Sequence, residues 1–123
     1  MKTHMQTSKS GSILVSVCRG KVSEGYDFND DLARVVMIIG LPYPNIGDTK
    51  IIMRQEYFIE KSKSFEWLKD QAVRAVNQAL GRVIRHKNDF GAIYLVDKRY
   101  SDNLSYSEKI SKWVRDSIQG ING

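Results

Sequence analysis

Five polar side chains share one stripe if residues 66–86 form a helix: Gln71, Arg74, Gln78, Arg82 and Arg85, separated by steps of three, four, four and three. Arg74 has Asp70 one turn earlier and reads as an ordinary surface pair. Arg82 has Gln78 and His86 at its i±4 positions and no acid at i±3. Arg85 finds Asp89 four residues on, past the expected helix end, and Gly81 removes a side chain beside Arg82. Gly81 weakens a helix, and the two arginines and the glutamine beside it have no obvious local gain. Such a set suits an anionic ligand, because guanidinium forks match phosphate oxygens. As pattern alone, the stripe reads more readily as a solvated basic face.

A second candidate is the run Cys18–Phe28 (CRGKVSEGYDF), with two glycines, two cations, a hydroxyl and two carboxylates. Backbone amides near its glycines, with Ser23, could hold a phosphate, and Asp27 could accept from a ribose hydroxyl. The alternative is a glycine-rich turn with solvated charges. Gly20-Lys21 is not a phosphate-binding P-loop: that pattern needs a glycine where Val15 stands and a hydroxyl where Val22 stands.

These side chains need elements to carry them. Ile13–Val17, Val35–Leu41 and Ala92–Val96 are short, β-branched and nearly unalternating, which predicts strands buried on both faces. Helices are expected over Thr49–Glu60, Glu66–His86 and Ser107–Gln119. The longest has Leu68, Ala72, Ala75, Val76, Ala79 and Val83 on its apolar face, and the last has Ile110, Trp113, Val114 and Ile118 on its own. Gly40–Asp48 holds both prolines and reads as an ordered loop. The order of elements predicts an α/β layer structure with a mainly parallel sheet. The first strand would place Cys18–Phe28 at a strand's carboxyl end, where open α/β sheets bind ligands. Three strands make a thin sheet, so part of it is expected outside this chain.

The chain's 123 residues suit one domain over residues 11–123, after a frayed leader, Met1–Ser10. The net charge of +5 is compatible with nucleic acid or an anionic surface. No apolar run reaches the ~20 residues of a membrane span, and no signal peptide is expected. Cys18 is the single cysteine, beside two histidines, so no Cys/His metal site or internal disulfide can be built.

Taken together, Cys18–Phe28 and Gln71–Gly91 (QAVRAVNQALGRVIRHKNDFG) closely resemble motifs V and VI of the XPD-like superfamily-2 DNA helicases. Ala33–Asn45, Val96–Tyr100 and Ser111–Arg115 fit the same family's strand, proline loop and later landmarks. Asn77-Gln78 and Arg85–Asp89 look most like the branch of the Fanconi anaemia group J and telomere-elongation-regulator helicases. The resemblance implies a partial RecA-like three-layer domain, the second motor domain of a 5′ to 3′ helicase, with its early strands missing. It implies Arg82 and Arg85 as arginine fingers, and Gln78, Gly81, Glu24, Gly25 and Asp27 on the ATP side. Arg19, Lys21 and Ser23 would contact the backbone of mainly single-stranded DNA. ATP and Mg2+ would be held by a first motor domain, which also carries the family's iron–sulfur cluster; neither the cluster cysteines nor Walker A is in this chain. Without that partner domain the chain is expected to be inactive. A nucleus-located role in DNA repair is implied, and a stand-alone nucleic-acid-binding or regulatory module is the alternative.

Overall fold

The structure, a computed structural model, describes residues 11–19, 28, 32–59, 63–84, 88–102 and 104–117. Two strands, β1 (Val35–Ile39) and β2 (Ala92–Val96), pair in parallel. Between them lie α1 (Thr49–Ile59) and α2 (Ser64–Leu80), so β1 and β2 are joined by a helical crossover. Three single-turn helices follow: α3 (Arg99–Asp102), α4 (Leu104–Ser107) and α5 (Lys112–Arg115). The chain is thus α/β, a parallel sheet flanked by helices, as in part of a RecA-like domain.

Register decides which strand residues reach the core. Val35 pairs with Ala92 and Ile39 with Val96, so Val36, Ile38, Ile93 and Leu95 share one face. That face packs on Val73, Val76 and Leu80 of α2 and on Tyr100, Tyr106, Ile110 and Val114. Full burial of residues such as Val73, Val76 and Leu80 contributes about 1.5–3 kcal/mol each. On the opposite face Val35, Met37, Ile39, Tyr94 and Val96 are exposed, Ile39 at 78%. Burial on both faces, as the unalternating runs predict, is therefore not found. Among the described residues only one face is covered, so apolar residues on the other meet no packing partner.

The first expected strand is also absent. Ile13–Val17 has no ladder partner, and Ile13, Val15 and Val17 are 80% exposed or more. A strand exists only where a neighbour takes its N–H and C=O groups, and no described segment does so here.

α1 starts where Asp48 Oδ1 accepts the Lys50 amide at 2.8 Å. α2 ends at Leu80, not at His86. The Arg82 amide turns to the Ala79 carbonyl and that of Val83 to Leu80, the tighter bonding that closes a helix. Gly81 stands at this end, with β-branched Val83 and Ile84 after it, all poor helix formers. Of the C-terminal helix expected over Ser107–Gln119, only α5 forms among the described residues, and Ser107 instead closes α4. Ile110 and Val114 both enter the core, whereas Trp113 is 45% exposed and leaves the face expected for it. Ile118 lies outside the described residues. No described helix is long and apolar enough to cross a membrane.

Candidate functional site

The amide of Phe28 donates to the Arg82 carbonyl at 2.9 Å. At the other end of the same loop, Arg19 Nε donates to the Pro42 carbonyl at 3.0 Å, and an Nη donates to the Gln71 carbonyl. Arg19 is therefore tied to Gln71 within α2 and Phe28 to Arg82 in the turn just past it, positions eleven residues apart. At 1.5 Å per residue that is about 16 Å. Arg19 and Phe28, the described residues at either end of that run, thus both contact the segment that carries Gln71 and Arg82. Arg19 has φ 65°, a left-handed conformation uncommon outside glycine, which its contacts to Pro42 and Gln71 support.

Because α2 stops at Leu80, Arg82 is carried by the turn after the helix and not by a continuous stripe. Arg82 is half-buried, Gln78 is exposed in the last helical turn, and Gly81 is the cap between them. Gly81 keeps a right-handed φ of −67°, so its conformation does not demand glycine. Arg85, Lys21, Ser23, Glu24, Gly25 and Asp27 lie outside the described residues.

The surface beside Gln78 is a groove of about 590 Å³ lined by Asp70, Val73, Arg74, Asn77, Gln78 and Lys109. Its charges are not arranged as the sequence suggests. Asp70 pairs with Lys109, and Glu66 with Lys109 and Lys69. The bond to Asp70, with that to Glu66, raises the Lys109 pKa, and Lys69 and Lys109 lower that of Glu66. The expected Arg74–Asp70 pair does not form, since Lys109 from a distant segment takes the carboxylate first. Arg74 is left exposed with no acid bound among the described residues.

Asn77 is a residue that pattern reading passed over. Its Oδ1 accepts the Ser111 amide at 2.9 Å, and its Nδ2 donates to the Lys109 carbonyl at 3.2 Å. One side-chain amide so ties the last turn of α2 to the segment before α5. The available signal was an asparagine bordering an apolar helix face, where its helix propensity is poor.

The carboxyl ends of β1 and β2 are closed by their own side chains. The Tyr43 and Tyr106 hydroxyls lie 2.5 Å apart, and Tyr100 donates to the Gly40 carbonyl at 3.3 Å. Gly40 has φ +82° and makes the turn that brings Tyr43 there. Burial, then the Tyr106 hydroxyl, pushes the Tyr43 pKa up to about 12. Arg99 grips Asp97 through Nε at 2.8 Å and Nη2 at 2.6 Å, holding that carboxyl at about 2. No buried side-chain N or O among the described residues lacks a partner, and no described Cys, His, Asp and Glu cluster could hold a metal. Among the described residues the open, cation-bearing surface is thus the flank of α2 with Arg19 beside it.

Residues 1–117 match the family model of the helicase C-terminal domain. The chain is 45% identical over 118 residues to a Fanconi anemia group J protein homolog of Gallus gallus, covering 90% of this chain and 9% of that protein. It is 49% identical over 116 residues to a regulator of telomere elongation helicase 1 homolog of Drosophila willistoni, covering 88% and 11%. With a Caenorhabditis briggsae protein of the same description, identity is 45% over 118 residues, covering 88% and 12%. The chain spans about a tenth of the length of these relatives.

Proposed function

Since the chain belongs to the helicase C-terminal domain family, we propose that it is the C-terminal motor-domain portion of an ATP-dependent 5′ to 3′ DNA helicase acting in the nucleus. The observation that carries this reading is the bond from the Phe28 amide to the Arg82 carbonyl, which joins the loop to the arginine turn. Arg82 and Arg85 face the phosphates of ATP, with Gln78, Gly81, Glu24, Gly25 and Asp27 around the nucleotide. Arg19, Lys21 and Ser23 meet the backbone of single-stranded DNA, a charge-driven and largely sequence-independent contact. Arg19 also holds the loop entry, and its guanidinium stays exposed while doing so.

Bound ATP supplies the phosphoryl group that is hydrolysed. This chain's donor set fits the anionic end of such a ligand: planar forks and an amide, with Asp70 beside Arg74 already engaged by Lys109. It contains no glycine-rich cradle of the Walker A kind, so ATP and Mg2+ are held by a first motor domain outside this chain. The arginines stabilise charge on the transferring group from across the domain interface. A shift of the Phe28–Arg82 link on DNA binding would move the Arg82 turn with it. A self-standing binding module is less well supported, because half of the sheet's apolar surface is exposed.

The test is DNA-stimulated ATP turnover by the intact polypeptide carrying this domain. Arg82→Ala should lower kcat by about 10³-fold, the scale of an arginine finger, with a much smaller change in the KM for ATP. An unchanged kcat would refute the assignment.

A further inference from the structure

The turn carrying Arg82 is held at its upstream end by α2, whose Leu80 carbonyl accepts the amides of Val83 and Ile84 at 3.1 Å. Downstream, the chain is gripped by one side chain from another element. Arg34, the residue before β1, donates from Nη1 to Asp89 Oδ1 at 2.9 Å and to the Phe90 carbonyl at 3.1 Å. Its guanidinium carbon lies 4.1 Å from the centre of the Phe90 ring. The Arg34 carbonyl accepts the Ala92 amide at 2.8 Å, so the same residue also begins the β1–β2 pairing. The Asp89 side chain is 1% exposed and accepts the Phe90 amide as well, at 3.0 Å.

Packing connects this clamp to the arginine turn. A Cβ on Gly91 would stand 2.9 Å from the Arg34 carbonyl oxygen and 3.6 Å from Ile84 Cδ1. The exposed Gly91 backbone therefore runs against the Arg34 backbone on the side where Ile84 lies, and Ile84 is two residues from Arg82. Phe90 is 69% exposed, so its ring is not there to fill the core. Its described ring contact is the guanidinium. Only a planar fork can serve a carboxylate, a carbonyl and a ring face at once; an ammonium would keep the charge and lose the plane.

We propose that Arg34 is a positioning residue, which fixes the downstream end of the Arg82 turn and so aims its guanidinium, while touching neither nucleotide nor DNA. This rests on the reading of Arg82 as ATP-facing. Misplacing a reacting group by about 1 Å can cost on the order of 10²-fold in rate. Loosening the clamp should therefore act on turnover more than on binding.

The experiment uses the intact helicase carrying this domain, with Arg34→Lys and Phe90→Leu made alone and with Arg82→Ala, read by DNA-stimulated ATP turnover and thermal melting. Arg34→Lys should lower kcat by about tenfold or more with ATP KM within about threefold, and Phe90→Leu should lower it less. In the Arg82→Ala background either change should cost less than about twofold, because there is no guanidinium left to aim. A lowered melting temperature with unchanged kcat would overturn the proposal, leaving Arg34 a structural anchor. So would the same loss in both backgrounds. If Arg82→Ala by itself leaves kcat intact, the ATP-facing reading fails first and the positioning role with it. Should Arg34→Lys not fold, Phe90→Leu decides alone, since its ring is mostly in solvent.

Discussion

Asp97 receives three hydrogen bonds from Arg99: the backbone amide at 2.9 Å and two from the guanidinium. The guanidinium bonds dominate, then burial opposes them, and the carboxyl titrates at about 2 instead of 3.8. A depressed carboxylate pKa stabilises the fold above the unfolded value and loses that contribution as pH falls through the folded value. The window here is pH 4 down to 2. Thermal melts of the wild type and Asp97→Asn should therefore differ at pH 6 and converge between pH 4 and 2. A gap that stays constant across that range would contradict the assignment. At this scale the sequence was informative where a residue's neighbours are local. Arg82 stood out because no acid lies at i±3 or i±4. Arg74 was misjudged because its rival for Asp70, Lys109, is distant in sequence and close only after folding. Arg34 and Asp89 are 55 residues apart, and nothing in spacing announces their pairing.

At the scale of elements, α2 is the part on which the candidate site depends, and Asn77 ties it to the segment before α5. Asn77→Ala removes an acceptor from the Ser111 amide and a donor to the Lys109 carbonyl, at a cost of about 1–3 kcal/mol. Asn77→Asp keeps the acceptor and should fall between the two. Chemical denaturation measures this; a midpoint unmoved by Asn77→Ala would mean that α5 does not rely on the amide. The starts of α1 and α2, at Thr49 and Ser64, fall at or within two residues of those expected, Thr49 and Glu66. The end of α2 was not legible, because the apolar period continues through Val83, which is buried although it follows the helix. Periodicity reports burial, and a turn can bury a residue as a helix does. The late start of the last helix, at Lys112 instead of Ser107, is likewise tertiary: Asn77 takes the Ser111 amide that a longer helix would have used.

For the whole molecule, the two parallel strands and their helical crossover were readable from apolar runs, but the sheet's completeness was not. Ile13–Val17 has the composition of a strand and no described ladder partner, since pairing depends on a neighbour and not on the segment itself. The exposed face of Val35, Met37, Ile39, Tyr94 and Val96 has the same origin. The chain spans about a tenth of the length of the relatives it matches. The same logic governs the chemistry, because arginines that stabilise a transferring phosphoryl group need another part to hold it. The most direct measurement is ATP hydrolysis by the purified 123-residue chain, with saturating ATP, Mg2+ and single-stranded DNA. The expected result is no turnover above background. Turnover by this chain alone, abolished by Arg82→Ala, would contradict it.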